Sequence, residues 1–284
     1  MIRRWLSTGG RGGVVWGVAV IELGLAWLLA LAATASLTGT LARHPLGAIG
    51  LHAQGGRLLG ELVALHAHAW EPMAGLLGVV IVAHAGAWML LGGMFPVLGA
   101  TTGVRWHRAA AESLRRAPTL LGLAAIAGLG YALAGFAGYA AAGWAGREAA
   151  HRLDVRAITA LGGTGWLLGG ALAWAIGLWH DVARAHAMSR GRSAMQASGS
   201  AALQMAREPL ATVAAGAGFG LVTWAYVGAA AALAGLLDAR SSRPGVVAAL
   251  LVAQHLVVLG RVHTRMKWFV WLGGRVTAAR ARAE

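Results

Sequence analysis

About six apolar stretches, each near the length that crosses a lipid bilayer, recur along the whole of this 284-residue chain. Arginines collect in alternate gaps between these stretches. A hydrocarbon core takes roughly 20 helical residues to cross, and a helix satisfies its backbone hydrogen bonds internally while it does so. The pattern therefore predicts an all-α fold, a polytopic membrane helix bundle.

The composition agrees with a membrane location. Hydrophobic residues make up 58% of the chain and charged residues only 12%, more apolar surface than a soluble core could bury. The net charge of +14 would suggest nucleic acid in a soluble protein, but arginines that flank spans set orientation in a membrane. We therefore expect the lipid bilayer and its anionic headgroups as partners, and no nucleic acid. Because the chain has no cysteine, disulfides, Cys-ligated zinc, iron–sulfur clusters and thiol nucleophiles are excluded.

We treat residues 1–284 as a single transmembrane domain with six transmembrane helices. An outer segment at 38–72 is predicted to contain an interfacial helix, and basic amphipathic cytoplasmic segments precede the first, third and fifth spans. With both termini inside, 17 of the 24 basic residues are cytoplasmic, which predicts an N-in, C-in protein of a bacterial inner membrane. The predicted spans are 14–37, 73–95, 118–143, 157–179, 209–235 and 246–264.

Two local patterns predict how the helices begin and pack. Arg116-Ala117-Pro118 and Arg207-Glu208-Pro209 mark the starts of the third and fifth spans, since proline in the first turn has no amide hydrogen to lose there. Small residues form one stripe on each of the third and fourth spans, and in lipid such stripes allow close backbone approach. Their members are Gly130, Ala134, Gly138 and Ala142 in the third span, and Gly165, Gly169, Ala173 and Gly177 in the fourth.

Three ionisable residues lie in the middle of the predicted spans: Glu22, His84 and His255. Counted from the inner boundaries they share a layer near mid-membrane, where an acid is costly unless it is neutral or partnered. One interpretation is structural, with a protonated Glu22 hydrogen-bonded to a histidine or a backbone carbonyl. The other is a proton or ion pathway in which Glu22 exchanges the proton and a histidine relays it.

The two histidines leave a cofactor open as a further possibility, although none is the favoured prediction. His84 and His255 on facing helices could be axial ligands of a haem. Val80-x-x-x-His84-x-x-x-Trp88 also resembles the spacing by which light-harvesting helices hold bacteriochlorophyll. No metal site is predicted, because His66 and His68, two residues apart, diverge on a helix. No catalytic residues are predicted either.

The chain resembles uncharacterised six-span bacterial membrane proteins at Asp181-Val182-Ala183-Arg184, which is followed by a basic amphipathic segment and by Arg207-Glu208-Pro209. Some of these are similar in layout to the membrane domain attached to certain glycerophosphodiester phosphodiesterases. The resemblance implies a fold layout and an Asp181–Arg184 pair one helical turn apart, but no catalytic domain and no functional residues.

The favoured function is a non-enzymatic scaffold or accessory subunit that works with other membrane subunits. A transporter that uses the Glu22 layer is the first alternative. A haem- or pigment-binding subunit that uses His84 and His255 is the second.

Overall fold

A computed structural model of the chain describes residues 12–41, 92–97, 106–151, 155–237 and 243–281. Every regular element within these ranges is helical, so the all-α prediction is confirmed for them. Residues 92–97 form a short helical segment. The longer helices are α1 (Gly12–Leu41), α2 (Trp106–Arg115), α3 (Ala117–His151), α4 (Val155–Arg190), α5 (Ala194–Arg207), α6 (Pro209–Leu236) and α7 (Pro244–Ala281).

Among the described residues, three helical stretches are long and apolar enough to cross a membrane. They are Ala117–Glu148, Pro209–Leu236 and Pro244–Ala278, which cover the third, fifth and sixth predicted spans. Gly12–Leu28, in the first predicted span, is a shorter apolar stretch. Residues 42–91, which include most of the outer segment, most of the second span and His66, His68 and His84, lie outside the described residues.

The chain divides into two compact units. One contains α1, residues 222–236 of α6 and residues 244–264 of α7. The other contains residues 92–97, α2 to α5, the start of α6 up to Leu221, and α7 from Arg265 onward.

The small-residue stripes of α3 and α4 face each other in the second unit. A Cβ placed on Gly169 would lie 3.0 Å from Gly138 Cα, and one placed on Gly138 would lie 3.2 Å from Gly165 O. One placed on Gly165 would meet Ala142, so the two helices run antiparallel. Such distances leave no room for side chains, and the predicted close packing of the two stripes is confirmed.

The basic segment after the predicted fourth span is a continuation of α4 followed by a turn and α5. The turn passes through Gly191, whose φ of 64° is one that residues with a side chain rarely adopt. Ser193 then caps α5 in a reciprocal capping box with Gln196. The alanine face of α5 is buried, and Trp179 Nε1 of α4 donates to Ser198 O at 3.2 Å.

The end of α7 supplies much of the core of the second unit. Phe269 is fully buried and stacks on Phe95, with ring centroids 6.1 Å apart. Arg275 Nη1 donates to Glu208 Oε2 at 3.0 Å beside the start of α6. That helix begins at Pro209, as its sequence predicts, while α3 begins at Ala117, one residue before Pro118.

Large apolar side chains remain exposed on the long helices. Phe136 of α3, Trp166 of α4 and Trp224 of α6 are all more than half exposed. Exposed aromatic rings on helices of this length fit contact with lipid or with another membrane subunit.

Candidate functional site

Glu22 is buried in the first unit and forms an ion pair with an arginine. Its side chain is 5% exposed, and Arg261 Nη2 of α7 donates to Glu22 Oε2 at 2.6 Å. One interpretation of the sequence expected a histidine or a backbone carbonyl beside Glu22, so an arginine partner was not predicted. Arg261 lies near the inner end of the predicted sixth span and is one of the 17 basic residues counted there as cytoplasmic.

His255 has partners different from those of Glu22. Its Nδ1 lies 2.6 Å from Leu251 O on the preceding turn of α7, so this nitrogen carries the hydrogen and donates it. The ring lies near Trp27, with centroids 6.5 Å apart. Donation from Nδ1 to a backbone carbonyl, which leaves Nε2 as the ligating nitrogen, is the arrangement common to metal-ligating histidines. His84, the other member of the predicted layer, lies outside the described residues.

Asp181 is the centre of a buried polar cluster in the second unit. Its side chain is 4% exposed, and Arg265 Nη2 donates to Oδ1 at 2.5 Å. Trp268 Nε1 donates to Oδ2 at 2.9 Å. Arg184 Nη1 lies 3.5 Å from Oδ1, so the pair implied by the resemblance is present. The carboxylate thus joins α4 to α7 through both of its oxygens.

Aromatic rings and burial complete this Asp181 cluster. The guanidinium carbons of Arg184 and Arg265 lie 5.4 and 5.1 Å from the ring centroid of Phe269, within cation–π range. Burial lowers the pKa of Arg184 to about 10, and Asp181 opposes that shift, so Arg184 is still charged at neutral pH. The cluster therefore holds two cations around one anion.

The resemblance implied Arg184 as a partner of Asp181, but Arg265 and Trp268 were not predicted as partners. The available signal was their spacing, since residues three apart on a helix share a face and place a cation and an indole donor side by side. That spacing does not say which acid they meet, because Asp181 is 84 residues away from Arg265 along the chain.

A cavity of about 520 Å³ lies beside the turn between α4 and α5. Three arginines line it: Arg116, Arg190 and Arg192. The remaining lining residues are Met188, Ser189 and Gly191. We call this space the arginine cavity.

Hydrogen bonds hold the three guanidinium groups in place. Arg116 Nε donates to Glu112 Oε1 at 3.1 Å, and Arg190 Nη2 donates to Val276 O at 2.9 Å. Arg192 Nη1 donates to the Ser200 hydroxyl. The Glu112 carboxylate is shared with Arg115, whose hydrogen bond is the main reason that the pKa of Glu112 is lowered.

His186, one turn before Arg190 on α4, is buried against α5. Its Nε2 lies 2.7 Å from Gln204 Oε1, and its Nδ1 is buried with no hydrogen-bond partner among the described residues. Burial lowers the pKa of His186 to about 4, and the charges of Arg190 and Arg192 add to the shift, so the ring is neutral at physiological pH.

Comparison with protein-family models, with curated proteins and with solved structures finds no match. Within the described ranges, no group of three or more His, Asp or Glu side chains is placed to hold a metal ion. The ion pairs and the arginine cavity are therefore the structural features that bear on function.

Proposed function

We propose that this chain is a non-enzymatic, six-span protein of a bacterial inner membrane, with both termini inside, and that it acts as a scaffold or accessory subunit of a membrane assembly. In this proposal it shares a layout, but no activity, with the membrane domain attached to some glycerophosphodiester phosphodiesterases.

The observation that supports the proposal is that both buried carboxylates are paired with arginines. Glu22 and Asp181 each bind an arginine of α7, at 2.6 and 2.5 Å. A carboxylate held at such distances fixes one helix against another, and removal of one partner leaves a buried charge uncompensated. Fixed helices with exposed aromatic faces suit a protein that supports neighbouring subunits.

A copurification experiment on the full-length chain tests this proposal. The tagged protein, extracted in a mild detergent, should retain membrane proteins in fixed stoichiometry. Glu22→Gln should lower its thermal stability and release those proteins together, because Arg261 then lacks its anion. The matched control is Glu112→Gln, which removes a carboxylate from an exposed ion pair and should change neither. A chain that purifies alone from its native membrane would contradict the scaffold role.

The transporter alternative is supported by the same buried Glu22. Under it, Glu22→Gln would abolish substrate or ion flux in proteoliposomes while thermal stability stayed at the wild-type value. A loss of stability without any flux in the wild type supports the structural role.

The cofactor alternative is supported by the Nδ1 hydrogen bond of His255. It requires a Soret or near-infrared band in the purified protein that disappears in His84→Ala or His255→Ala. A colourless preparation, purified directly from its native membrane, would contradict it.

A further inference from the structure

At the arginine cavity, Arg116 and Arg192 carry more positive charge than the one described acid that pairs with them offsets. Arg116 shares Glu112 with Arg115, so one negative charge faces two cations at that edge. Arg192 binds a serine hydroxyl, which is neutral. The partners orient the guanidinium groups and leave a net positive charge at the cavity wall, which favours an anionic ligand.

The backbone at the cavity allows a close approach of cations to the turn. A Cβ on Gly191 would lie 2.9 Å from Arg116 Nη2, so this guanidinium would have to shift if the residue had a side chain. The positive φ of Gly191 would also disfavour a side chain there. The turn thus brings Arg116 of the α2–α3 junction beside Arg190 and Arg192 of the α4–α5 junction.

The size of the cavity fits a small ligand. Its volume of about 520 Å³ falls within the roughly 300–1,000 Å³ usual for ligand sites.

The cavity lies at the end of an apolar helix. Arg116 directly precedes Ala117, where the membrane-length stretch of α3 begins. A side chain at that position reaches the headgroup layer when α3 spans a bilayer, and the phosphates of anionic lipids lie in that layer.

We propose that Arg116, Arg190 and Arg192 form a binding site for a phosphate group. Planar guanidinium groups match phosphate oxygens in pairs, which gives the site selectivity over a diffuse basic surface. The phosphate belongs either to an anionic phospholipid headgroup or to a soluble phosphate compound. The lipid source rests on the membrane location proposed above, whereas the phosphate site itself does not require the scaffold role.

Native mass spectrometry of the delipidated full-length protein tests the site. The probes are phosphatidylglycerol, phosphatidylcholine with the same acyl chains, and glycerol 1-phosphate as a soluble competitor. Wild-type protein should bind about one phosphatidylglycerol in preference to phosphatidylcholine. Arg192→Gln should weaken that binding by roughly tenfold or more, as expected for loss of a charged hydrogen bond. Arg207→Gln is the matched control, because this exposed arginine ends α5 outside the cavity lining.

The outcomes separate the two sources and can overturn the site. Selective phosphatidylglycerol binding that glycerol 1-phosphate displaces only weakly identifies the lipid. Binding of glycerol 1-phosphate alone, weakened in Arg192→Gln, identifies a soluble phosphate and still supports the site. Equal losses of binding in Arg192→Gln and Arg207→Gln would overturn the site. So would a wild type that neither prefers phosphatidylglycerol to phosphatidylcholine nor binds glycerol 1-phosphate. Arg192→Lys keeps the charge and loses the paired geometry, so it gives a second, milder test if Arg192→Gln fails to fold.

Discussion

Replacement of Asp181 by asparagine is the sharpest test of the buried ion pairs, because the change removes one charge and almost no volume. In the wild type the carboxylate lies 2.5 Å from one Arg265 nitrogen and 3.5 Å from one Arg184 nitrogen. The asparagine carbonyl can still accept the hydrogen of Trp268 Nε1. The variant therefore isolates the charge of Asp181 from its shape and from its indole hydrogen bond.

The expected loss follows from these distances and from burial. With an effective dielectric constant of about 20, the two attractions amount to about 7 and about 5 kcal/mol before desolvation is subtracted. Removal of one partner from a buried ion pair costs about 3–5 kcal/mol in practice, because the other charge stays behind. Arg265 is 37% exposed and can turn toward solvent, whereas Arg184 is only 11% exposed. We therefore expect Asp181→Asn to lower the free energy of unfolding by about 3 kcal/mol, at the low end of that range.

The assay is equilibrium unfolding of the detergent-purified protein, followed by tryptophan fluorescence. Glu112→Gln is the control, since its ion pairs with Arg115 and Arg116 are more exposed and should contribute less than about 1 kcal/mol. A second variant, Asp181→Asn with Arg184→Met, should recover part of the loss, because it removes the cation left buried. If Asp181→Asn and Glu112→Gln lower the free energy of unfolding by the same small amount, the Asp181 cluster does not stabilise the contact between α4 and α7.

Two further predictions concern packing and pH. Gly169→Ala should destabilise the protein by about 1–3 kcal/mol in a thermal unfolding assay, because its Cβ would lie 3.0 Å from Gly138 Cα and the backbones must separate. The control is Gly170→Ala, whose Cβ meets nothing within 4 Å, and which should be neutral or stabilising in the same assay. The pKa of His186 falls from an unfolded value of about 6.5 to about 4, so the unfolded chain binds the proton first and stability falls as the pH drops below 6.5. At pH 5 the free energy of unfolding is therefore about 2 kcal/mol lower. His186→Gln should remove that loss in unfolding curves measured between pH 7 and 5. An unchanged pH profile would contradict the lowered pKa of His186.

The features that the sequence predicted correctly are those that depend on local spacing. The helix start at Pro209 and the facing stripes of α3 and α4 follow from backbone chemistry and from the 3.6-residue period. Close approach of Gly138 and Gly169 needs small residues on both helices, and both stripes can be counted along the chain. The length of α4 was underestimated, because the helix continues past the apolar run to Arg190 and packs its polar end against α5.

The partners of the buried acids could not be predicted in the same way. Glu22 and Arg261 are 239 residues apart, and Asp181 and Arg265 are 84 apart. Nothing in a single sequence indicates that residues so far apart along the chain are in contact. Counting residues from the inner span boundaries placed Glu22 and His255 in one membrane layer, but this count treats each side chain as lying at the depth of its Cα. A long arginine side chain can extend along a helix to a carboxylate at another depth, so ion pairs in spans need not follow Cα depth.

The pairing of arginines with acids also changes how the positive charge of the chain is interpreted. Topology counting treats Arg261, Arg265 and Arg275 as cytoplasmic charges beside lipid. In the structure each of them binds a carboxylate on another part of the chain. Their attraction to anionic headgroups is therefore reduced, because a neighbouring acid offsets each charge. The arginine cavity differs, since Arg192 binds a hydroxyl and Arg116 shares its acid with Arg115. If anionic lipid is recognised at one position on this protein, the charge balance favours that cavity over the more numerous basic residues of α7.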